Sequence, residues 1–315
     1  MFMITTAKIS PKHLQPVFAE YPGLTLEYGN IEEVEPKLSQ AEILISYGED
    51  LTAELIKKCT KLKWLMVVSA GIDKLPFRQL IEQRVLVTNA RGIHKNPMAE
   101  HAFALILQDS RRLVSLLDLQ RDKVWDRMIR VNELTDAKIV IVGAGAIGTE
   151  VARKAKAFDM NTIGVNRTGS RAANFDKMYK TEQLHDALSI ADYVVVITPL
   201  TPETRHMFGE KEFRMMPEKC YFINIARGEV VQEDALLKAL TNGWIRGAAL
   251  DTFCEEPLPA EHALWNVRDL IITPHLAGRT PRYMERAVEI FKHNLQVYSS
   301  GQGKMKNIID LTRGY

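Results

Sequence analysis

Short apolar runs alternate along the chain with longer stretches in which apolar residues recur every three to four positions, and this alternation occurs in two blocks. In the first block the runs predict strands near Met3-Ile4, Thr25-Leu26, Ile43-Leu44-Ile45, Trp64 to Val68 and Val85 to Val87. In the second they predict strands over Ile139 to Val142, Thr162 to Val165, Tyr193 to Thr198, Tyr221 to Asn224, Gly247 to Leu250 and Leu270 to Thr273. Strands alternating with amphipathic helices form parallel sheets covered on both faces, so the pattern predicts an α/β fold with two doubly wound parallel-sheet domains. Helical spacing that begins at Asn96-Pro97 carries the chain from the first block to the second, with Pro suited to a helix start. The amphipathic stretch Val288 to Tyr298 carries it back. The expected domains are therefore 1–97 with 282–315, and 98–281. Two crossings between domains predict a cleft with a hinge, which suits a reaction that must exclude water.

The run Lys138 to Val142 leads directly into Gly143-Ala144-Gly145-Ala146-Ile147-Gly148, and an Ala-rich helical stretch follows. In that setting the first Gly allows a sharp turn, the second lets backbone approach a pyrophosphate, and the third lets helix pack on strand. The exposed N–H groups and positive end of the helix dipole then face the phosphates. The next strand ends at Asn166-Arg167-Thr168. An NAD site places a carboxylate there, about twenty residues after the glycines, to hold the ribose hydroxyls. Without it a 2′-phosphate is not repelled, and Arg167 can grip it in a fork. The residues lean towards NADP, with NAD still open; the alternative is an Arg167 that is simply solvated at a strand end.

Composition narrows the partners. The chain has 315 residues, of which 46% are hydrophobic and 25% charged, which is ordinary globular chemistry with room for two domains. Lys and Arg number 41 against 39 acidic residues, and a formal charge of +2 does not point to nucleic acid or an anionic membrane. Cys59, Cys220 and Cys254 form no C-x-x-C and no Cys/His pair at metal spacing, so neither a disulfide framework nor a bound metal is expected. A reducing compartment fits that usage. The sequence shows no basic-then-apolar leader and no run long enough to cross a bilayer, and a cytoplasmic location is expected.

Candidate chemistry lies at three predicted strand ends: Asn224-Ile225-Ala226-Arg227-Gly228, Asp251 to Pro257, and Thr273-Pro274-His275-Leu276-Ala277-Gly278. Ligands of open α/β sheets collect at such ends, so one guanidinium, one carboxylate and one imidazole should meet near the cofactor. Glu100 and His101 are less promising, because residues on the first turn of a helix more often cap, pack or face solvent.

These stretches, with Val68-Ser69-Ala70-Gly71-Ile72-Asp73, Asn89-Ala90-Arg91-Gly92, Met98-Ala99-Glu100-His101 and Thr198-Pro199-Leu200-Thr201, resemble the D-isomer-specific 2-hydroxyacid dehydrogenases, and they do so in that family's order along most of the chain. The resemblance implies a flavodoxin-like substrate domain plus a Rossmann dinucleotide-binding domain, a nicotinamide cofactor, and a small 2-keto or D-2-hydroxy acid as substrate. It implies that Arg227 binds the substrate's carboxylate and carbonyl, that His275 is the acid/base, and that Glu256 orients its imidazole. Ala70 and Gly71 would offer backbone amides to the carboxylate. Ala146, Ile147, Thr198, Pro199, Ala226 and Asp251 would join Gly143, Gly145, Gly148, Asn166, Arg167 and Thr168 around the cofactor. A homodimer is also implied. The chemistry agrees: carbonyl reduction needs a proton on oxygen, which a histidine can give near neutral pH, while an arginine can hold a planar carboxylate by paired hydrogen bonds.

Leu134-Thr135-Asp136-Ala137-Lys138 departs from the family pattern where a Gly is common, and Arg279 stands where small residues are common. Two other functions compete. A methyltransferase also uses a Gly-rich loop but would want an acid at Asn166, and the same family includes a corepressor that senses nucleotide with little turnover. The substrate side chain is left open, with Tyr47, Gly48, Ser69, Trp265 and Tyr283 as the expected pocket.

Overall fold

The computed structural model describes residues 1–69, 71–72 and 74–312. The chain divides into two compact units, Met1–His94 with Thr280–Tyr315, and Lys95–Arg279.

In the first unit five parallel strands, β1 (Phe2–Thr5), β2 (Thr25–Tyr28), β3 (Ile43–Ser46), β4 (Trp64–Val67) and β5 (Leu86–Asn89), form one sheet in the order β2-β1-β3-β4-β5. That is the flavodoxin-like order. The unbroken apolar runs are explained by position: β3 and β4 lie inside the sheet and are buried along their whole length. Ile43 and Ile45 enter the core on one face and Leu44 the core on the other. The closing helix is longer than its apolar pattern suggested, running over Tyr283–Ser300. Its Phe291 stacks on Trp64 with ring centroids 5.3 Å apart, and Tyr298 lies 5.4 Å from the same indole.

The second unit carries seven parallel strands: β6 (Lys138–Val142), β7 (Asn161–Asn166), β8 (Lys177–Lys180), β9 (Tyr193–Val196), β10 (Tyr221–Asn224), β11 (Gly247–Leu250) and β12 (Leu270–Ile272). Their order is β12-β11-β10-β9-β6-β7-β8, a doubly wound sheet whose direction of growth reverses between β6 and β9. Side chains alternate as a two-faced strand requires: Ile139 and Ile141 pack with Ala102, Ile106, Val151 and Ala152, while Val140 and Val142 pack with Val194, Phe208 and Phe222.

One strand is absent from the sequence reading. β8 is an edge strand bounded by Lys177 and Lys180, with only Tyr179 buried, so it lacks an apolar signal. β9 also stops at Val196 rather than Thr198, because Ile197 and Thr198 leave the sheet beside the glycine loop. The helix that opens this unit runs over Lys95–Ser110 and packs on the helix Ala146–Lys156.

Candidate active site

The loop after β6 has the geometry its glycines predict. Gly143 has φ +113°, and a Cβ there would lie 2.7 Å from the Ile197 carbonyl oxygen. A Cβ on Gly148 would lie 2.1 Å from the Gly143 carbonyl oxygen, so both positions exclude side chains. Gly145 differs: nothing stands within 4 Å of where its Cβ would be. It caps the helix Ala146–Lys156 without a side-chain hydrogen bond, leaving the N–H groups of the first turn for an anion. The Thr198 hydroxyl, two residues beyond β9 and next to Pro199, is buried with no hydrogen-bond partner. Open space, an uncapped helix start and an orphaned hydroxyl are what a dinucleotide's pyrophosphate would fill, so these residues fit the cofactor the sequence implies.

At the end of β7, Asn166 braces the turn that follows. Its Oδ1 accepts from the Thr168 N–H at 3.1 Å, and its Nδ2 donates to the Ser170 carbonyl at 3.0 Å. The Thr168 hydroxyl donates to Ser170 Oγ at 2.9 Å. Arg167 is exposed beside them. Glu203 faces this group: its carboxyl is held below the usual carboxylate range first by the Thr201 hydroxyl and more weakly by the Arg167 guanidinium.

The three chemical stretches follow β10, β11 and β12, which are neighbours in the sheet. After β10, the buried Asn224 side chain donates to the Arg227 carbonyl at 3.0 Å and accepts from the Ala226 N–H at 3.0 Å, fixing the turn. Arg227 Nη1 donates to the Ala226 carbonyl at 2.8 Å. A Cβ on Gly228 would lie 1.9 Å from the Phe253 carbonyl carbon, so the Arg227 turn packs directly on the backbone that leads to Glu256. Glu256 divides its two oxygens: Oε1 accepts from the Phe253 N–H at 2.9 Å, and Oε2 pairs with His275 Nδ1 at 2.7 Å. A carboxylate only accepts, so Nδ1 carries a proton and Nε2 stays out of this pair. His275 has φ +49°, a left-handed backbone that costs a residue with a side chain of order 1–3 kcal/mol.

Asp251 pays part of that cost. Its carboxylate is 1% exposed; Oδ1 accepts from the Leu276 N–H at 3.0 Å and the Thr273 hydroxyl at 2.5 Å, and Oδ2 accepts from the Ala277 N–H at 2.8 Å. Its own carbonyl accepts from the His275 N–H at 2.8 Å. Asp251 thus fastens the backbone of the loop while Glu256 fastens the ring. His101 joins the group, with Nε2 3.2 Å from Thr273 Oγ1 and 3.7 Å from Asp251 Oδ1. Glu100 is an exposed carboxylate 3.9 Å from Lys154 and stands apart from this cluster.

Of the remaining expected residues, Gly71 belongs to the first unit, where its carbonyl accepts from Ser69 Oγ at 2.7 Å. Ala70 and Asp73 lie outside the described residues. Cys254 is adjacent to Glu255-Glu256, but burial and then Glu233 push its thiol up to about 12, which removes it as a nucleophile. Among the described residues no group of three or more His, Cys, Asp or Glu could hold a metal ion, and no helix is long and apolar enough to cross a membrane.

Comparison with known proteins decides the family. The model of the D-isomer specific 2-hydroxyacid dehydrogenase NAD-binding domain matches residues 103–277, more than half of the chain. The chain belongs to the D-isomer specific 2-hydroxyacid dehydrogenases. This dehydrogenase is 32% identical over 275 residues to a glyoxylate reductase of Thermococcus gammatolerans, covering 84% of this chain and 82% of that one. Its structure matches a D-isomer specific 2-hydroxyacid dehydrogenase family protein of Aeromonas salmonicida with a TM-score of 0.86 at 30% identity, over 98% and 99% of the two chains. It also matches an NADPH-dependent glyoxylate/hydroxypyruvate reductase of Sinorhizobium meliloti, solved with NADP and sulfate, with a TM-score of 0.82 at 25% identity over 100% and 99% of the chains. As a member of this family the dehydrogenase is an NAD(P)-dependent oxidoreductase acting on CH–OH groups.

Proposed function

We propose that the protein reduces small 2-keto acids, glyoxylate and hydroxypyruvate first among them, to D-2-hydroxy acids with NADPH. The observation that carries this reading is the Glu256–His275 pair at 2.7 Å, set beside the Arg227 turn by the contact of Gly228 with Phe253. The names of its relatives support the choice of substrate.

The nicotinamide cofactor, when bound, supplies the hydride. Gly143, Gly145, Ala146, Ile147 and Gly148 would hold its pyrophosphate, with Thr198 and Pro199 beside them, Ala226 nearer the reacting end, and Arg167 and Thr168 at the 2′-phosphate. Arg227 binds the carboxylate of the keto acid and polarises its carbonyl. His275 gives the carbonyl oxygen a proton from Nε2, and Glu256 stabilises the imidazolium through Nδ1 and fixes which nitrogen faces the substrate. Asp251, with both oxygens engaged by the loop, serves the site by holding His275 in place.

The test is a panel of 2-keto acids assayed for oxidation of NADPH and of NADH. Turnover of glyoxylate or hydroxypyruvate is expected, with NADPH favoured about tenfold, the lower end of what one charge-assisted hydrogen bond gives, because Arg167 is exposed to screening by water. Arg167→Ser should erase the preference, and added salt should shrink it. Equal use of both cofactors by the wild type at low salt would return Arg167 to a solvated role, and no turnover of any keto acid would remove the proposed activity.

We also propose a second copy of the chain as partner. The helix Leu113–Arg121 buries none of its residues, and beyond it Trp125 is 90% and Met128 85% exposed, so one stretch of the chain presents large apolar side chains that a second copy could cover. Sedimentation should find a dimer that becomes a monomer in the variant Trp125→Asp/Met128→Asp; a wild-type monomer would refute this. The three unpaired cysteines suit a cytoplasmic location.

A further inference from the structure

We propose that His101 is a positioning residue for the acid/base loop, holding His275 in its working conformation through Thr273 and Asp251. The inference rests on the role given to His275 above. It starts from the donor count at Thr273. That hydroxyl has one hydrogen, which goes to Asp251 Oδ1 at 2.5 Å. Its oxygen then has only lone pairs to offer His101 at 3.2 Å, so His101 Nε2 must be the donor. The chain of hydrogen bonds therefore runs one way, from His101 to Thr273 to Asp251, and ends on a buried carboxylate that also receives the N–H groups of Leu276 and Ala277.

A buried carboxylate keeps its place only while its lone pairs are satisfied. A hydroxyl that accepts a hydrogen bond is a better donor and is locked against rotation. His101 supplies that lock from a different element, the helix Lys95–Ser110, whose other buried polar link to the sheet, Asp109 with Tyr193 and Arg246, involves none of the residues of this loop. Burial pushes His101 below the ordinary imidazole range, with Asp251 pulling the other way, so the ring is neutral at neutral pH and its single proton sits on Nε2. Without that donor the Thr273 hydroxyl is held by Asp251 alone, Asp251 loosens its hold on Leu276 and Ala277, and the left-handed His275 that precedes them can relax away from Glu256.

Two variants separate a donor from a filler. His101→Leu keeps bulk and removes the N–H; His101→Gln places an amide N–H where Nε2 was. The expected result for Leu is a fall in kcat of roughly tenfold, the scale of one hydrogen bond. KM for the keto acid and the affinity for NADPH, read by fluorescence titration, should stay within about twofold. Hydrogen exchange at the Leu276 and Ala277 amides should quicken. Gln should restore most of the kcat and the slow exchange. Should Leu not fold, Asn takes its place, because its amide reaches only the Nδ1 position. Equal impairment in the Leu (or Asn) and Gln variants would overturn the proposal, as would wild-type kcat and exchange in the variant lacking the donor. Exchange is read without turnover, so a wild type inactive on every keto acid would remove the proposed function while this comparison still decided the role of His101.

Discussion

His275→Ala should lose about 10²- to 10⁴-fold in kcat, the range expected when a positioned general acid is deleted, while NADPH binds with nearly unchanged affinity. The separation follows from where the residues stand. His275 lies in the loop after β12 and is tied to Glu256 and Asp251, whereas the glycine loop follows β6, with three strands between β6 and β12 in the sheet. The variant does not relieve the strained φ of +49°, because Ala is no better suited to that backbone. Single-turnover kinetics with NADPH would isolate the proton-dependent step. Turnover within about threefold of wild type is too small a loss for a general acid and would assign the proton to another group.

Arg227→Ala should cost about 10²-fold in kcat/KM, with KM for the keto acid raised as well as kcat lowered, because a guanidinium that grips both carboxylate and carbonyl acts in ground state and transition state alike. Each charge-assisted bond is worth about 1.5–3 kcal/mol, and a hundredfold loss, about 2.8 kcal/mol, lies just under the lower end for two of them, as expected for a pair partly screened by water. Arg227→Lys should recover little, since a point charge cannot reproduce the fork, and one Nη of Arg227 is already committed to the Ala226 carbonyl. Steady-state kinetics on the three proteins distinguish the outcomes. A variant altered in neither constant would move the carboxylate clamp elsewhere, and a full rescue by Lys would reduce the interaction to charge alone.

What the sequence made legible was whatever acts locally. Buried strands declared themselves as apolar runs, and the glycines at 143, 145 and 148 announced a turn, an opening and a close packing contact because each is a property of one backbone position. Arg227, Glu256 and His275 were found as strand-end residues. The contacts that hold them were not, because they join positions far apart in the chain: His101 meets Thr273, and Asp251 meets Leu276 and Ala277. His101 read as a residue of a helix's first turn with no partner in view. Asp251 read as a cofactor contact, and nothing local showed that its oxygens were spent on a loop. Asn166 carried the opposite lesson: its missing charge was visible, its work as a brace for Thr168 and Ser170 was not. β8 went unread because an edge strand flanked by lysines has no reason to look apolar.

The packing of Trp64 against Phe291 and Tyr298 bears on how the protein is made. The sheet of the first unit emerges first from the ribosome, but the helix that covers Trp64 is encoded after the whole of the second unit. At the usual pace of synthesis that interval lasts roughly 10 to 40 s, during which Lys95–Arg279 can fold as a continuous segment while the earlier sheet waits with an indole and its neighbours uncovered. The part made first is completed last, so until the closing helix emerges the earlier sheet is an unfinished partner that chaperones must shield.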